Sequence, residues 1–264
     1  MRFAHFSDLH LLADAGRTLS VLDHARRVML SGGRPAPDAR RVDNLRRSLA
    51  YAREAQADHV IITGDLTEEG TAAQFERLAE ALSDSGWRPE AITLCPGNHD
   101  GYTDHRAWGR ALDGVLRPWA ETSRDGVALR FPGCTLVPVS TLRPLAVTRS
   151  AGAIAASTWR RLDARARECE ARREPLLIAQ HHPPFALTSA TLQWFDGLEE
   201  VARAEALLAR YSGCFVAHGH LHAGGDRRVA GRSHAQILGA EAAVRGGLRV
   251  RLYEAREGAM VRVG

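Results

Sequence analysis

The residues able to do chemistry fall in five short clusters: Ser7-Asp8-Leu9-His10, Gly64-Asp65, Pro96-Gly97-Asn98-His99-Asp100, Gln180-His181-His182-Pro183-Pro184 and His218-Gly219-His220-Leu221-His222. Asp8 and His10 stand two apart, as do His220 and His222. In extended backbone residues i and i+2 point to one side, so each pair can face one centre. Asp8, His10, Asp65, Asn98, His181, His220 and His222 together offer two carboxylates, one amide and four imidazoles. That exceeds the ligand shell of one metal ion. Two ions sharing a carboxylate, about 3.5–4 Å apart, fit the number. Mixed nitrogen and oxygen donors without a thiolate suit two divalent or mixed-valence transition metal ions, Mn, Fe, Zn or Co, better than Ca or Mg. Glycines before Asp65, Asn98 and His220 are expected to let the backbone pass close to an ion or substrate.

Each cluster follows a short apolar run. RFAHF (2–6), HVIIT (59–63), AITLC (91–95), PLLIA (175–179) and CFVA (214–217) have strand length and composition. Segments 41–57, 71–86, 157–173 and 198–211 carry apolar residues at helical spacing, with Thr71 and Ser157 as expected N-caps and Gly86 as a stop. This alternation predicts parallel strands in an α/β core, and ligands bind at the carboxyl ends of such strands. The stretches 126–131, 135–140, 226–230, 234–240 and 247–255 lack long intervening helices and read as a more antiparallel portion. The whole predicts two packed sheets flanked by helices in a single domain spanning 1–264. Segment 13–41 differs in texture: an amphipathic piece (18–30) precedes the breaker-rich SGGRPAPDARR. It reads either as an ordinary helix and turn covering the core or as a lid inserted beside the first cluster.

Composition removes several classes. The 264 residues carry 35 basic and 31 acidic side chains, a net charge of +4, and every basic residue is Arg. Without Lys there is no Schiff base, pyridoxal anchor or P-loop amine. The Arg blocks are scattered, so the basic pI near 9.2 says little about nucleic acid. No apolar run approaches the ~20 residues of a membrane span. MRFAHFSDLHLL places Asp and His where a signal peptide needs an apolar stretch, so a cytoplasmic protein is expected. Cys95, Cys134, Cys169 and Cys214 show no C-x-x-C pairing and read as reduced, non-catalytic thiols.

Asp-x-His, Gly-Asp, Gly-Asn-His-Asp, His-x-Pro and Gly-His-x-His, in that order, resemble the calcineurin-like metallophosphoesterase superfamily, with the match running from Asp8 to His222. The resemblance implies a four-layer α/β/β/α sandwich of two mixed sheets flanked by helices. It implies that one ion takes Asp8, His10, Asp65 and His222, and the other Asp65, Asn98, His181 and His220. A water activated between the ions would attack phosphorus, while the cations offset charge on the phosphoryl oxygens. By the same resemblance His99 binds substrate and protonates the leaving oxygen, and Asp100 orients His99. Taken singly, a His or Asp at a strand end is usually a cap; the ordered conjunction argues otherwise. For the other imidazoles the plain reading holds: His5 in the core or behind the ligands, His182 and His218 supporting ligands, and His24, His59, His105 and His234 at the surface or strand edges.

Gly64-Asp65-Leu66-Thr67-Glu68-Glu69-Gly70 lacks the Asp-Arg-Gly of the protein Ser/Thr phosphatases, and His99 departs from the Arg of the lipid A pathway hydrolases. The chain is most similar to the cyclic-nucleotide and glycerophosphodiester phosphodiesterase branch, and Trp194-Phe195-Asp196-Gly197-Leu198 also resembles a segment of that branch. A small-molecule phosphoester is therefore the expected partner, with no membrane and no nucleic acid. Dimers are common in that branch, so a homodimer is compatible with it. The alternatives are a DNA nuclease of the repair-exonuclease branch, a phosphomonoesterase, and a non-catalytic scaffold. The scaffold reading is poor, because such relatives lose ligands or the His beside Asn98.

Overall fold

The structure, a computed structural model, describes residues 1–13, 37–144 and 149–264. The amphipathic piece 18–30 lies outside the described residues, as does His24. Residues 38–41, at the end of the segment read as a lid, form the first turn of a helix.

Strands β1 (Arg2–Phe6), β2 (His59–Thr63) and β3 (Ile92–Cys95) are parallel neighbours. Helix α1 (Asp38–Glu54) connects the first two and α2 (Ala72–Ser83) the last two. The C-terminal strands β10 (Arg251–Arg256) and β11 (Ala259–Arg262) complete this sheet, with β10 antiparallel to β1 in the order β11-β10-β1-β2-β3. Strand β11 is not marked in the sequence pattern. It is folded back through Glu257 and Gly258, both at positive φ (47° and 79°), as a two-residue hairpin requires. In the second sheet, β4 (Leu129–Phe131), β5 (Cys134–Pro138), β6 (Leu176–Ala179), β7 (Cys214–His218), β9 (Ile237–Gly239) and β8 (Gly225–Arg227) lie side by side in that order. The segments expected to be antiparallel divide. Strands β5 and β9 run parallel to β6 and β7, while β10 in the first sheet and the edges β4 and β8 in the second are antiparallel as expected.

Helices α3 (Ala107–Asp113), α4 (Ala120–Ser123), α5 (Ala156–Arg172), α6 (Ala190–Asp196) and α7 (Val201–Arg210) make up the rest. Thr71 caps α2 as expected, its side chain accepting from Gln74 N. Ser157 does not cap α5; the helix begins one residue earlier, after Ala155. Gly86 (φ 72°) lies three residues beyond the end of α2.

Strand periodicity explains the layers. Successive side chains point to opposite faces. Thus Ala4, Phe6, Val60, Ile62, Ile92 and Leu94 face the helices with Leu45, Leu49, Phe75 and Leu78. Their neighbours Phe3, Ile61 and Cys95 meet Leu136, Leu177, Phe215 and Leu238 between the sheets. On the far side Leu176, Ile178 and Val216 pack under Trp159, Leu162 and Leu208. The result is helix, sheet, sheet, helix: the expected four-layer α/β/β/α arrangement. Strands covered on both faces read as continuous apolar runs. Cys95, Cys134, Cys169 and Cys214 are buried and free, and burial pushes Cys95, Cys134 and Cys214 up to about 12, so these thiols are not nucleophiles.

Candidate metal centre

Five strand ends deliver the seven side chains to one place. The loop after β1 runs along the loop after β2, with Asp8 N, His10 N and Leu11 N donating to the carbonyls of Gly64, Asp65 and Leu66. The turns are tight: Asp8, His10, Asp65, His220 and His222 all sit at positive φ, between 46° and 70°. Non-glycine residues rarely adopt this region, and such strain gathers at functional sites.

Glycines make the turns possible, though for a different reason from the one their sequence positions suggest. A Cβ on Gly64 would lie 2.3 Å from His181 Nδ1, and one on Gly97 2.3 Å from Asp65 Oδ1. A Cβ on Gly219 would lie 2.6 Å from Asp8 Oδ2 and closer still to Ser7 Oγ. These residues make room for the ligating side chains themselves.

Hydrogen bonds fix which ring nitrogen of each imidazole is turned inward. His181 Nδ1 donates to Thr63 O at 2.7 Å, leaving Nε2 inward as an acceptor. His220 Nε2 donates to Asp196 O at 2.8 Å, leaving Nδ1 inward. Asn98 Nδ2 donates to Tyr102 Oη, which turns Oδ1 inward. The inward atoms then crowd together. His181 Nε2 is 3.3 Å from His220 Nδ1, 3.2 Å from Asn98 Oδ1 and 3.3 Å from Asp65 Oδ1. His220 Nδ1, Asn98 Oδ1 and Asp65 Oδ1 thus converge on His181 Nε2, a donor set that suits a cation.

The second group shares Asp65. Its Oδ2 lies 3.6 Å from His10 Nε2, which is 3.4 Å from His222 Nε2, and His222 Nε2 is 3.2 Å from Asp8 Oδ1. Ligand atoms of Asp8, His10, Asp65 and His222 all lie within 4.8 Å of one another. Asp8 Oδ1 is buried without a hydrogen bond of sound geometry. An orphaned buried carboxylate oxygen is costly unless a cation neutralises it. The two Asp65 oxygens thus face different groups, as a bridging carboxylate would. Asp8, His10, Asp65 and His222 fit one metal ion, and the acceptors gathered around His181 would hold a second.

The electrostatics agree. Burial alone would raise Asp65, yet His181 and His99 hold its carboxyl well below the usual range. Burial alone would lower His181, but Asp65 and Asp8 push it up to about 9. His220 goes the other way, held near 3 by burial and by His181. The carboxylates that raise His181 would equally attract a cation among these side chains.

His99 lies beside the second group, its Nε2 4.0 Å from Asp65 Oδ2. The expected partnership with Asp100 is not observed. The Asp100 carboxylate instead accepts from Leu66 N, Thr67 N, Thr67 Oγ1 and Gly97 N, tying the loop after β3 to the loop after β2. Burial and the Asp65 charge push Asp100 up to about 7. His99 is oriented by Glu68. Its Nδ1 lies 2.8 Å from Glu68 O and 3.6 Å from Glu68 Oε1, while its ring lies 4.4 Å from that of Tyr102. Glu68 is itself buried and paired with Arg41, which also donates to His10 O. Glu68, Arg41 and Tyr102 carry no motif, and the sequence reading missed them.

Most of the remaining imidazoles support the structure. His182 spans Thr141 Oγ1 and Ser150 O, His218 meets Gly219 O, and His5 meets Thr63 Oγ1. His59 is buried, not at the surface, lying against Thr93 Oγ1 and the rings of Phe3 and Phe131. No described helix is long and apolar enough to cross a membrane.

Known proteins are similar to this chain in sequence and in fold. A protein named probable cyclic nucleotide phosphodiesterase in Synechococcus sp. (strain WH7803) is 29% identical over 73% of this chain and 70% of its own length. One of the same name in Rhodopseudomonas palustris is 29% identical over 84% of this chain and 72% of its own. The fold is similar to that of a dimetal phosphatase from Danio rerio (TM-score 0.71, 15% identity, 97% of this chain and 93% of that one). Residues 1–224, carrying all seven acceptors and His99, match the family described as calcineurin-like phosphoesterase. The chain belongs to the calcineurin-like phosphoesterases and is a metal-dependent hydrolase of phosphate esters.

Proposed function

We propose that this enzyme is a phosphodiesterase acting on small diesters, with cyclic nucleotides as the first substrate class and glycerophosphodiesters as the second. The observation that carries the reading is the convergence of the acceptors on Asp65 with the buried His99 beside them, its Nε2 4.0 Å from Asp65 Oδ2. Two bound divalent ions, of the Mn, Fe, Zn or Co type, would supply an activated water and positive charge for the phosphoryl oxygens.

The chain's own residues do the rest. Asp65 sets the spacing of the two groups, and its Oδ1 also accepts from His99 N at 3.0 Å, coupling the bridge to the His99 turn. His99 Nδ1 is held by Glu68 O, so only Nε2 can deliver a proton. A diester releases an alkoxide that needs that proton, which gives His99 its task. Tyr102 keeps Asn98 Oδ1 inward and packs against the His99 ring. The names of the Synechococcus and Rhodopseudomonas relatives support cyclic nucleotides as the diester.

The test is hydrolysis by Mn²⁺-loaded enzyme of bis(p-nitrophenyl) phosphate, p-nitrophenyl phosphate and adenosine cyclic monophosphate, with Asn98→Ala and His99→Ala as controls. Diester turnover at least tenfold above monoester, lost in both variants, is expected. Monoester preference would overturn the diesterase reading. Turnover confined to DNA would replace it with the nuclease.

A further inference from the structure

The sequence leaves Trp194-Phe195 without a role, and the structure gives the pair an unusual setting. Trp194 is 56% exposed, the largest fraction among the big apolar side chains described as exposed, yet it is held in place. The Arg149 guanidinium lies 4.5 Å from the centre of the indole and its Nε donates to Trp194 O at 2.7 Å. Arg149 is in turn anchored by Glu199 Oε1 at 2.8 Å. Phe195 meets the indole edge-on at 4.7 Å, and Ser150 N donates to Phe195 O at 2.9 Å. An exposed aromatic ring held by a stacked cation, a main-chain bond and a perpendicular ring costs little further ordering when a flat partner arrives.

Both halves of this platform run directly into the metal centre. Two residues beyond Trp194, Asp196 O accepts from His220 Nε2. One residue beyond Arg149, Ser150 O contacts His182 and Ser150 Oγ lies 3.3 Å from Tyr102 Oη, the group that orients Asn98. The platform is therefore on the side of the centre formed by Asn98, His181 and His220.

We propose that Trp194, steadied by Arg149, is the subsite that stacks the nucleobase of a cyclic nucleotide whose phosphate sits at the metal centre. The inference rests on the cyclic-nucleotide reading above and adds to it the group that selects the base. A base presents a flat π-face that suits an exposed indole. Stacking of this kind tolerates any base, so the subsite would favour purines over pyrimidines by overlap area more than by hydrogen bonding.

The experiment uses Mn²⁺-loaded enzyme and the variants Trp194→Ala, Trp194→Phe and Arg149→Ala. For Trp194→Ala, kcat/KM on adenosine cyclic monophosphate should fall about tenfold more than on the base-free cyclic ribose phosphate, chiefly through KM, with partial recovery in Trp194→Phe. Adenosine monophosphate should also quench tryptophan fluorescence in the wild type and not in Trp194→Phe, since Trp108, Trp119 and Trp159 are buried and the half-buried Trp87 packs on the helix layer, donating to Leu49 O. Equal losses on both substrates, or nucleotide turnover insensitive to Trp194, would overturn the subsite. If the enzyme cleaves other diesters but no nucleotide, the functional reading fails; Trp194-dependent quenching then decides the platform separately, and its absence removes the platform too. A smaller elution size for Trp194→Ala would show that the indole seals a second copy of the chain, which also overturns the proposal.

Discussion

Gly64→Ala separates room for a ligand from room for a substrate. Gly64 sits at φ 97°, and its missing Cβ would lie 2.3 Å from His181 Nδ1, 2.6 Å from Cγ and 2.8 Å from Cβ. Ordinary contact is about 3.5 Å, so the imidazole must move by roughly 1 Å. It has nowhere to go without losing Thr63 O on one side or the inward facing of Nε2 on the other. A shift of that size at a reacting centre costs about 100-fold in rate. Alanine at positive φ adds about 1–2 kcal/mol of backbone cost. Gly133→Ala isolates that second cost: Gly133 has φ 78° and nothing within 4 Å of a built Cβ. Gly64→Ala should therefore lose more stability than Gly133→Ala in urea unfolding of the metal-free protein, by about 1–3 kcal/mol for the disturbed buried imidazole. Only Gly64→Ala should drop from two metal ions toward one, measured by elemental analysis after desalting, and lose about 100-fold in bis(p-nitrophenyl) phosphate turnover. If Gly64→Ala keeps two ions and turns over within twofold of Gly133→Ala, the steric argument is wrong.

Two further predictions concern buried groups outside the ligand set. Glu68→Gln keeps the carbonyl that holds His99 and removes the charge facing Arg41, so kcat should fall about tenfold with both ions retained. Asp100→Asn should instead lower metal affinity and stability; equal kcat losses with intact metal content in both would restore Asp100 as the His99 partner. Burial lowers His59 from 6.5 to about 4. The unfolded chain therefore takes up this proton first: stability is complete above about 6.5 and falls as pH drops toward 4. Between pH 7 and 4.5 the wild type should lose about 2–3 kcal/mol more than His59→Gln in urea unfolding of the metal-free protein. Parallel pH curves for the two proteins would refute the buried, neutral imidazole.

Much of the centre was legible because parallel strands are covered on both faces. Their sequences are unbroken apolar runs, and the first polar residue after each run marks the carboxyl end where ligands meet. That ground places the five clusters; the choice of Asp8, His181 and His220 over Ser7, Gln180 and His218 comes from the ordered motifs. What escaped depends on contacts between distant parts of the chain. Glu68 orients His99 from 31 residues away and is held by Arg41 from 27, distances that no local spacing reports. Asp100 was misjudged because adjacency in sequence suggested a partnership. The turn at residues 99–101 sends its carboxylate back to Gly97 N and across to Thr67 instead. Strand β11 is short, and its Glu257-Gly258 turn is a weaker hairpin signal than Asn-Gly. Trp194 could be matched only to a segment of the phosphodiesterase branch; its ring lies outside the core on a helix whose closing residue touches His220, which no local pattern reports.

The account stands on Asp65 as a shared ligand of two ions. The most direct measurement is metal content per chain for the wild type, Asp65→Ala and His181→Ala after loading with Mn²⁺ and desalting. Two ions in the wild type, about one in His181→Ala and essentially none in Asp65→Ala is the expected result. A single ion in the wild type, or two retained without Asp65, would contradict a carboxylate-bridged pair at these strand ends.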